Sequence, residues 1–173
     1  MKTKIKFPVY IFLVLLLVLC GCINDKEPDG IEVKVGDYLP DFSVTMSNGE
    51  KIETGNLIGS VGLIMFFNTN CQDCRKELPV IQEVWDYYYG NKKVKIVLIS
   101  REESQEEIKK YWEENNLSMN YSPQRNRYVY NLFAKTLIPR IYIYDKEGKV
   151  IFASDDSNLP TSQTLIKIID SLI

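Results

Sequence analysis

Cys71 and Cys74, separated only by Gln72 and Asp73, are the residues of this chain whose type and spacing best suit chemistry. At the start of a helix such a pair can close a small disulfide ring, or present one sulfur to solvent while shielding the other. A helix N-terminus supplies unpaired N–H groups and a partial positive charge. Both favour thiolate over thiol, and thiolate is the attacking species. Cys71 lies where an apolar strand pattern gives way to a helical one, so it is the expected nucleophile. Cys74, one turn further on, is the expected resolving thiol that breaks a mixed disulfide. Asp73 opposes negative charge on Cys71 while the helix end favours it. A structural disulfide across so short a loop would stabilise little, because the entropic gain grows with loop length.

Composition removes competing chemistries. The chain has no histidine, so serine–histidine hydrolysis, cysteine–histidine proteolysis and imidazole-ligated zinc are excluded. No metal ion and no cofactor are expected. A formal charge of −2 over 173 residues shows no basic surplus, and no nucleic-acid partner is expected. Hydrophobic and charged fractions of 45% and 25% suit one packed domain plus a small extra piece.

That extra piece reads as an address. Lys2, Lys4 and Lys6 precede an uncharged run from Phe7 to Cys22, and Asn24, Asp25, Lys26, Glu27 and Pro28 then turn sharply polar. This is the layout of a secretory signal peptide. The run is short for a membrane-spanning helix, which needs ~20 apolar residues. Leu19-Cys20-Gly21-Cys22 resembles a bacterial lipobox, with Cys22 as the lipidated residue. An ordinary signal peptide or an uncleaved anchor is the alternative. The expected division is a lipoprotein signal peptide over 1–21, a tether over 22–35 and one domain over 36–173. Loss of three lysines and no acid with residues 1–21 takes the formal charge from −2 to −5. Membrane attachment would therefore come from the lipid rather than from charge. The expected location is extracytoplasmic, in a bacterial periplasm or at the cell surface.

The elements that must position the cysteines follow from periodicity. Phe42, Val44 and Met46 alternate with polar residues, Asn48-Gly49 is a hairpin turn signal, and 51–54 returns beside the first strand. Residues 55–60 read as loop. The run 61–67 is continuously apolar, as in a strand buried on both faces. Leu78, Ile81, Val84 and Trp85 recur at helical spacing as far as Gly90, with a kink expected at Pro79. Residues 94–99 form a second apolar strand. Ser104 to Glu107 is a capping box that opens a helix. A short strand and a helix near 127–135 follow. Residues 140–145 and 149–154 then flank a turn, and Thr161 caps a last helix. This is an α/β pattern: a mixed central sheet with helices on both faces, preceded by an N-terminal β-hairpin extension.

On these residues the chain resembles the TlpA/ResA type of membrane-anchored thiol–disulfide oxidoreductase, a thioredoxin-like group. The match is carried by Gly36-Asp37, Pro40-Asp41-Phe42, the run Cys71-Gln72-Asp73-Cys74-Arg75-Lys76-Glu77-Leu78-Pro79, Ile138-Pro139 and residues 142–150. The resemblance implies that Pro139 is a cis-proline facing the sulfurs and that the backbone at Ile138 pairs with an extended substrate segment. On sequence alone Pro139 could equally be an ordinary proline opening a strand. The resemblance also implies that Glu77 handles protons near the resolving cysteine. Glu77 shares a helix face with Cys74, and an ordinary solvated glutamate is the competing reading. The chain departs from the pattern at Asn70, where many relatives have tryptophan, and at Met65, where thioredoxin has a buried acid. It departs again at Arg140, where threonine is common; Arg140 could offset Asp73 if it reached the site.

The function implied is reduction of disulfides in exported proteins through a Cys71/Cys74 cycle, with an upstream membrane thiol donor as the second partner. Thiol oxidation or isomerisation on the same cysteines is one alternative. A non-catalytic lipoprotein that binds Cu(I) or a protein partner is another. The proline and the serine or threonine that peroxiredoxins set before their cysteine are replaced by Ile64 and Asn68.

Overall fold

The computed structural model describes residues 32–173. The expected signal peptide, the lipidation site Cys22 and the tether over 22–31 lie outside the described residues. The rest of the expected tether belongs to the fold. Val33 is buried and its N–H donates to the Phe133 carbonyl (2.8 Å). Gly36 N–H donates to the Val150 carbonyl (2.8 Å). The packed body thus begins by Val33 rather than at residue 36, because an apolar side chain in this stretch finds core to fill.

The hairpin forms where Asn48-Gly49 placed it. Strands β1 (Ser43–Thr45) and β2 (Lys51–Glu53) run antiparallel with buried Val44 opposite buried Ile52. Phe42, just before β1, meets the edge of Phe133 (centroids 5.5 Å) and ties the hairpin to the body. The expected loop after β2 begins with one helical turn, α1 (Thr54–Leu57), where Glu53 N–H donates to Asn56 Oδ1 (2.9 Å).

Strand β3 (Val61–Phe67) is buried at every residue, as its unbroken apolar run requires. Helix α2 (Gln72–Tyr87) follows and contains Pro79, which leaves the Arg75 carbonyl without its helical donor. Next come β4 (Val94–Ser100) and α3 (Gln105–Glu114), the latter capped reciprocally by Ser104 and Glu107. The chain continues through β5 (Tyr121–Ser122) and α4 (Tyr128–Asn131). It ends with β6 (Arg140–Tyr144), β7 (Val150–Ser154) and α5 (Ser162–Asp170). The helix expected over 127–135 is only α4. Beyond it the Phe133 carbonyl is taken by Val33 N–H and the Tyr142 hydroxyl, so it is spent on tying the chain start to the sheet.

The main sheet has five strands in the order β5-β4-β3-β6-β7, with β3, β4 and β5 parallel and β6 and β7 antiparallel. Gly62 in β3 is a close approach: a Cβ there would overlap the Lys95 carbonyl oxygen and the Tyr144 hydroxyl. Successive strand residues face opposite sides. Phe67 meets Trp112 of α3 (5.2 Å), whereas Phe66 meets Tyr130 of α4 (5.6 Å) and Phe133 (4.9 Å). Helices therefore cover both faces. On the α3 face, α2 is bonded to α5 through the Tyr88 hydroxyl and Asp170 (2.8 Å), and to the loop after α3 through Gln82 and Ser118 (2.9 Å).

The pairing Phe66 with Arg140 and Phe67 with Ser100 sets the function-bearing rim. The carboxyl ends of β3 and β4 and the amino end of β6 converge there. Residues 68–74, 101–103 and 137–140 are brought together although they are distant in the chain.

Candidate active site

Cys71 is the N-cap of α2, with extended backbone (φ −82°, ψ 124°), and its sulfur accepts from Cys74 N–H at 3.5 Å. The Cys71 thiol donates to the Ile138 carbonyl, also at 3.5 Å. The Ile138–Pro139 peptide is cis. Pro139 has no N–H, so at this point the rim offers carbonyls to a neighbour. Leu137, with φ +69° and 46% exposure, places an apolar side chain at the mouth. Its carbonyl is held by the Tyr130 hydroxyl (2.7 Å).

The two thiols are free and differ in access: Cys71 is half-buried and Cys74 is fully buried. Burial pushes the Cys74 thiol far above its ordinary range, against smaller opposing effects from the Asn68 N–H and the Arg101 charge. Glu77, one turn along α2, is 2% exposed, and its Oε1 has no hydrogen-bond partner among the described residues. Burial raises its carboxyl to about 7. Glu77 is thus not the solvated glutamate of the competing sequence reading. Met65, at the position of the thioredoxin acid, is buried and carries no proton.

The expectation that Arg140 could reach Asp73 is not met. Arg140 pairs with Glu32 (2.9 Å) and lies 3.8 Å from Asp155, while two of its nitrogens donate to the Thr136 carbonyl. Asp73 pairs instead with Lys76 (2.7 Å), its neighbour on the helix surface. Charge from Asp73 is therefore offset from within α2.

Sequence reasoning missed a layer behind the cysteines. Glu103 is 2% exposed and accepts from Thr69 N–H (2.8 Å) and from the Thr69 hydroxyl. Its carboxyl is raised by burial and lowered in part by these bonds. Arg75 Nε donates to the Thr69 carbonyl. Asn68 Nδ2 donates to the Arg101 carbonyl (3.0 Å), and Asn68 Oδ1 accepts from Asn70 N–H (2.8 Å). The loop 68–71 is consequently bound on both sides to the end of β4. Glu103 stands in an acidic stretch before a helix, where nothing local separates it from exposed Glu102 and Glu106.

Among the described residues no group of three or more potential ligands is placed to hold a metal ion, and no helix is long and apolar enough to cross a membrane. What this geometry can do is exchange disulfides: an accessible sulfur attacks, a shielded one waits behind it, and a carboxyl titrating near neutrality stands on the same helix. A dithiol at this rim of this sheet, opposite a cis-proline, defines a thiol–disulfide oxidoreductase of thioredoxin fold. The chain belongs to the AhpC/TSA family, whose model matches residues 35–153. It is 27% identical over 155 residues to the thiol-disulfide oxidoreductase ResA of Bacillus anthracis, covering 87% of each chain. Among solved structures, a candidate protein disulfide isomerase from Bacteroides thetaiotaomicron aligns with TM-score 0.76 at 24% identity, covering 84% of this chain and 93% of that one. StoA from Bacillus subtilis aligns with TM-score 0.64 at 20% identity, covering 75% and 96%. At these identities the solved structures establish the fold.

Proposed function

We infer that this chain reduces disulfides of exported proteins, held at the outer side of a membrane through lipidated Cys22 and recharged by a membrane thiol donor. Cys71 attacks the substrate disulfide and one substrate sulfur leaves as a thiol. Cys74 passes its proton to Glu77 and attacks Cys71, which releases the second substrate thiol and leaves a Cys71–Cys74 disulfide. Two electrons have then moved from the protein to its substrate. The Ile138 carbonyl, beside Cys71, orients the extended substrate segment.

The direction rests on one observation: among the described residues the Cys71 sulfur accepts a single long hydrogen bond, from Cys74 N–H (3.5 Å), and has no cation paired with it. Strong oxidants of this fold owe their potential to a stabilised reduced form. A dithiol lacking that stabilisation gives up its electrons readily. The reduction potential, measured by equilibration against glutathione, is expected near the thioredoxin value of about −270 mV. A value near −120 mV, typical of strong oxidants, would turn the assignment to thiol oxidase.

Substrates can be captured. Cys74→Ser removes the resolving sulfur, so mixed disulfides on Cys71 should accumulate and release their partners when a reductant is added. Finding no adduct in the exported fraction, while wild type reduces disulfides normally, would contradict the resolving role of Cys74.

A further inference from the structure

Helix α2 ends in side chains that suit neither the core nor plain water. Tyr87, Tyr88 and Tyr89 are followed by Gly90, Asn91, Lys92 and Lys93 before β4 begins. Tyr88 is anchored, its hydroxyl donating to Asp170 (2.8 Å). Its ring meets that of Tyr87 edge-on (centroids 4.9 Å) and props it outward, 61% exposed. Tyr89, at 81%, is the most exposed large hydrophobic side chain among the described residues. Between the end of α2 and the start of β4 runs a groove of about 310 Å³, walled by Trp85, Tyr88, Tyr89, Lys92, Val94 and Ile96. Lys92 and Lys93 are exposed and pair with no carboxylate among the described residues. The acids nearest in sequence are engaged: Asp86 accepts from Gln82 (2.8 Å), and Glu83 accepts from the Ser162 hydroxyl. Residues 87–95 thus carry three lysines and no acid, in a chain whose formal charge is −2.

Tyrosine and tryptophan rings favour the headgroup level of a bilayer, where one end of the ring is apolar and the other wet. Lysine stems lie along apolar surface while their ammonium groups reach lipid phosphates. The place of the groove in the fold fits this occupant. Helix α2 begins at the rim that carries Cys71, and its 16 residues carry the chain ~24 Å to the opposite end of the sheet. Tyr38 (65% exposed) and Ile58 (50%) lie at that same end, beside the β6–β7 turn. The turn adds Lys146 and Lys149 there, against Asp145 and Glu147. Asp145 is occupied by the N–H groups of Glu147 (3.0 Å) and Lys149 (2.9 Å). The described chain starts at the other end, where Glu32 pairs with Arg140 at the rim (2.9 Å). Ten peptide steps separate Cys22 from Glu32 and span at most ~36 Å, more than the depth of the sheet. A lipid on Cys22 therefore leaves either end free to meet the bilayer, and the groove end carries the side chains that fit it.

We propose that this end of the sheet is a docking face for an anionic bilayer, with Tyr87 and Tyr89 entering the interface and Lys92 and Lys93 meeting lipid phosphates. The proposal rests on the reading of Cys22 as lipidated, since the anchor keeps the face within reach of the membrane. The lipid supplies attachment and the face supplies orientation. A body of net negative charge can dock this way because the lysines are gathered at one end. Docking turns the Cys71 rim away from the bilayer, toward disulfides of exported proteins.

The test takes the full chain from a bacterial membrane, weighs its Cys22 peptide by mass spectrometry, and reconstitutes it in vesicles of phosphatidylglycerol or of phosphatidylcholine. Backbone hydrogen exchange is then read segment by segment. Over residues 85–93 exchange should slow by about tenfold on phosphatidylglycerol relative to phosphatidylcholine. The rim segment 68–74 should exchange equally on both. Lys92→Glu with Lys93→Glu should abolish the difference, and so should Tyr87→Ser with Tyr89→Ser. Both double variants should reduce a small soluble disulfide at the wild-type rate, because these residues lie away from the rim. Equal exchange over 85–93 on the two lipids, or a charge-reversed variant that behaves as wild type, would overturn the proposal. Protection that appears without vesicles and grows with protein concentration would overturn it too, and assign the face to a second copy of the chain. A Cys22 peptide without added lipid mass would instead remove the anchoring reading, and the proposal with it.

Discussion

Cys71→Ser is expected to lower insulin disulfide reduction, with dithiothreitol as electron donor, by at least about a thousandfold. A serine hydroxyl is a far poorer nucleophile than a thiol at neutral pH, so the first covalent step is lost. Cys74 cannot take over, because it is fully buried beneath the loop and no disulfide of a folded substrate can reach it. Stability should change little: the Cys71 side chain is half-buried, and its polar contacts, with Cys74 N–H and the Ile138 carbonyl, are both 3.5 Å long. The loss would thus be chemical rather than structural. Turnover within tenfold of wild type would place the chemistry on another group.

Glu77→Gln should separate activity from stability in opposite directions. The folded protein keeps the Glu77 proton up to about pH 7, whereas the unfolded chain releases it near the ordinary 4.5. Between these values the folded state binds more protons, so stability falls as pH rises through this window and levels off above it. The full shift corresponds to about 3 kcal/mol at most. Glutamine cannot ionise, so the variant should lack this slope and be more stable than wild type at pH 8, with little difference at pH 4. Denaturant unfolding at the two pH values reads this directly. Resolution by Cys74 should meanwhile slow by about 10- to 100-fold, because the thiol has lost the acceptor for its proton. Parallel stability profiles for the two proteins would show that Glu77 is not the buried titrating group.

Much of the scaffold was legible because its signals are local. The unbroken apolar run 61–67, the Asn48-Gly49 turn and the Ser104–Glu107 box each act within a few residues, and each element formed where these signals lie. The order of cysteine access was legible for a related reason, since Cys74 falls at helical spacing with Leu78 and Ile81 on the buried stripe whereas Cys71 caps the helix. Glu77 was half-legible. It falls in the stripe Cys74, Leu78, Ile81, Val84 that faces the core, but a charge in such a stripe reads as solvated until packing is known. The residues paired behind the cysteines, Asn68 with Arg101 and Thr69 with Glu103, were not legible as a group. They meet only because β3 and β4 end side by side, and that register is a property of the assembled sheet. The early start of the domain was hidden for a similar reason: the Val33 N–H claims the Phe133 carbonyl, a partner that only the assembled fold supplies.

That claim has a practical edge for anyone cutting the chain. The stretch 32–35 resembles a dispensable leash by composition, yet it behaves as a strap. Beginning a recombinant protein at residue 36 would leave the Phe133 carbonyl one donor short and an apolar notch where Val33 sat. It would also strip Arg140, the residue after the cis-proline, of its closest carboxylate partner, Glu32 (2.9 Å). A soluble version meant to report native exchange rates should therefore start ahead of Glu32.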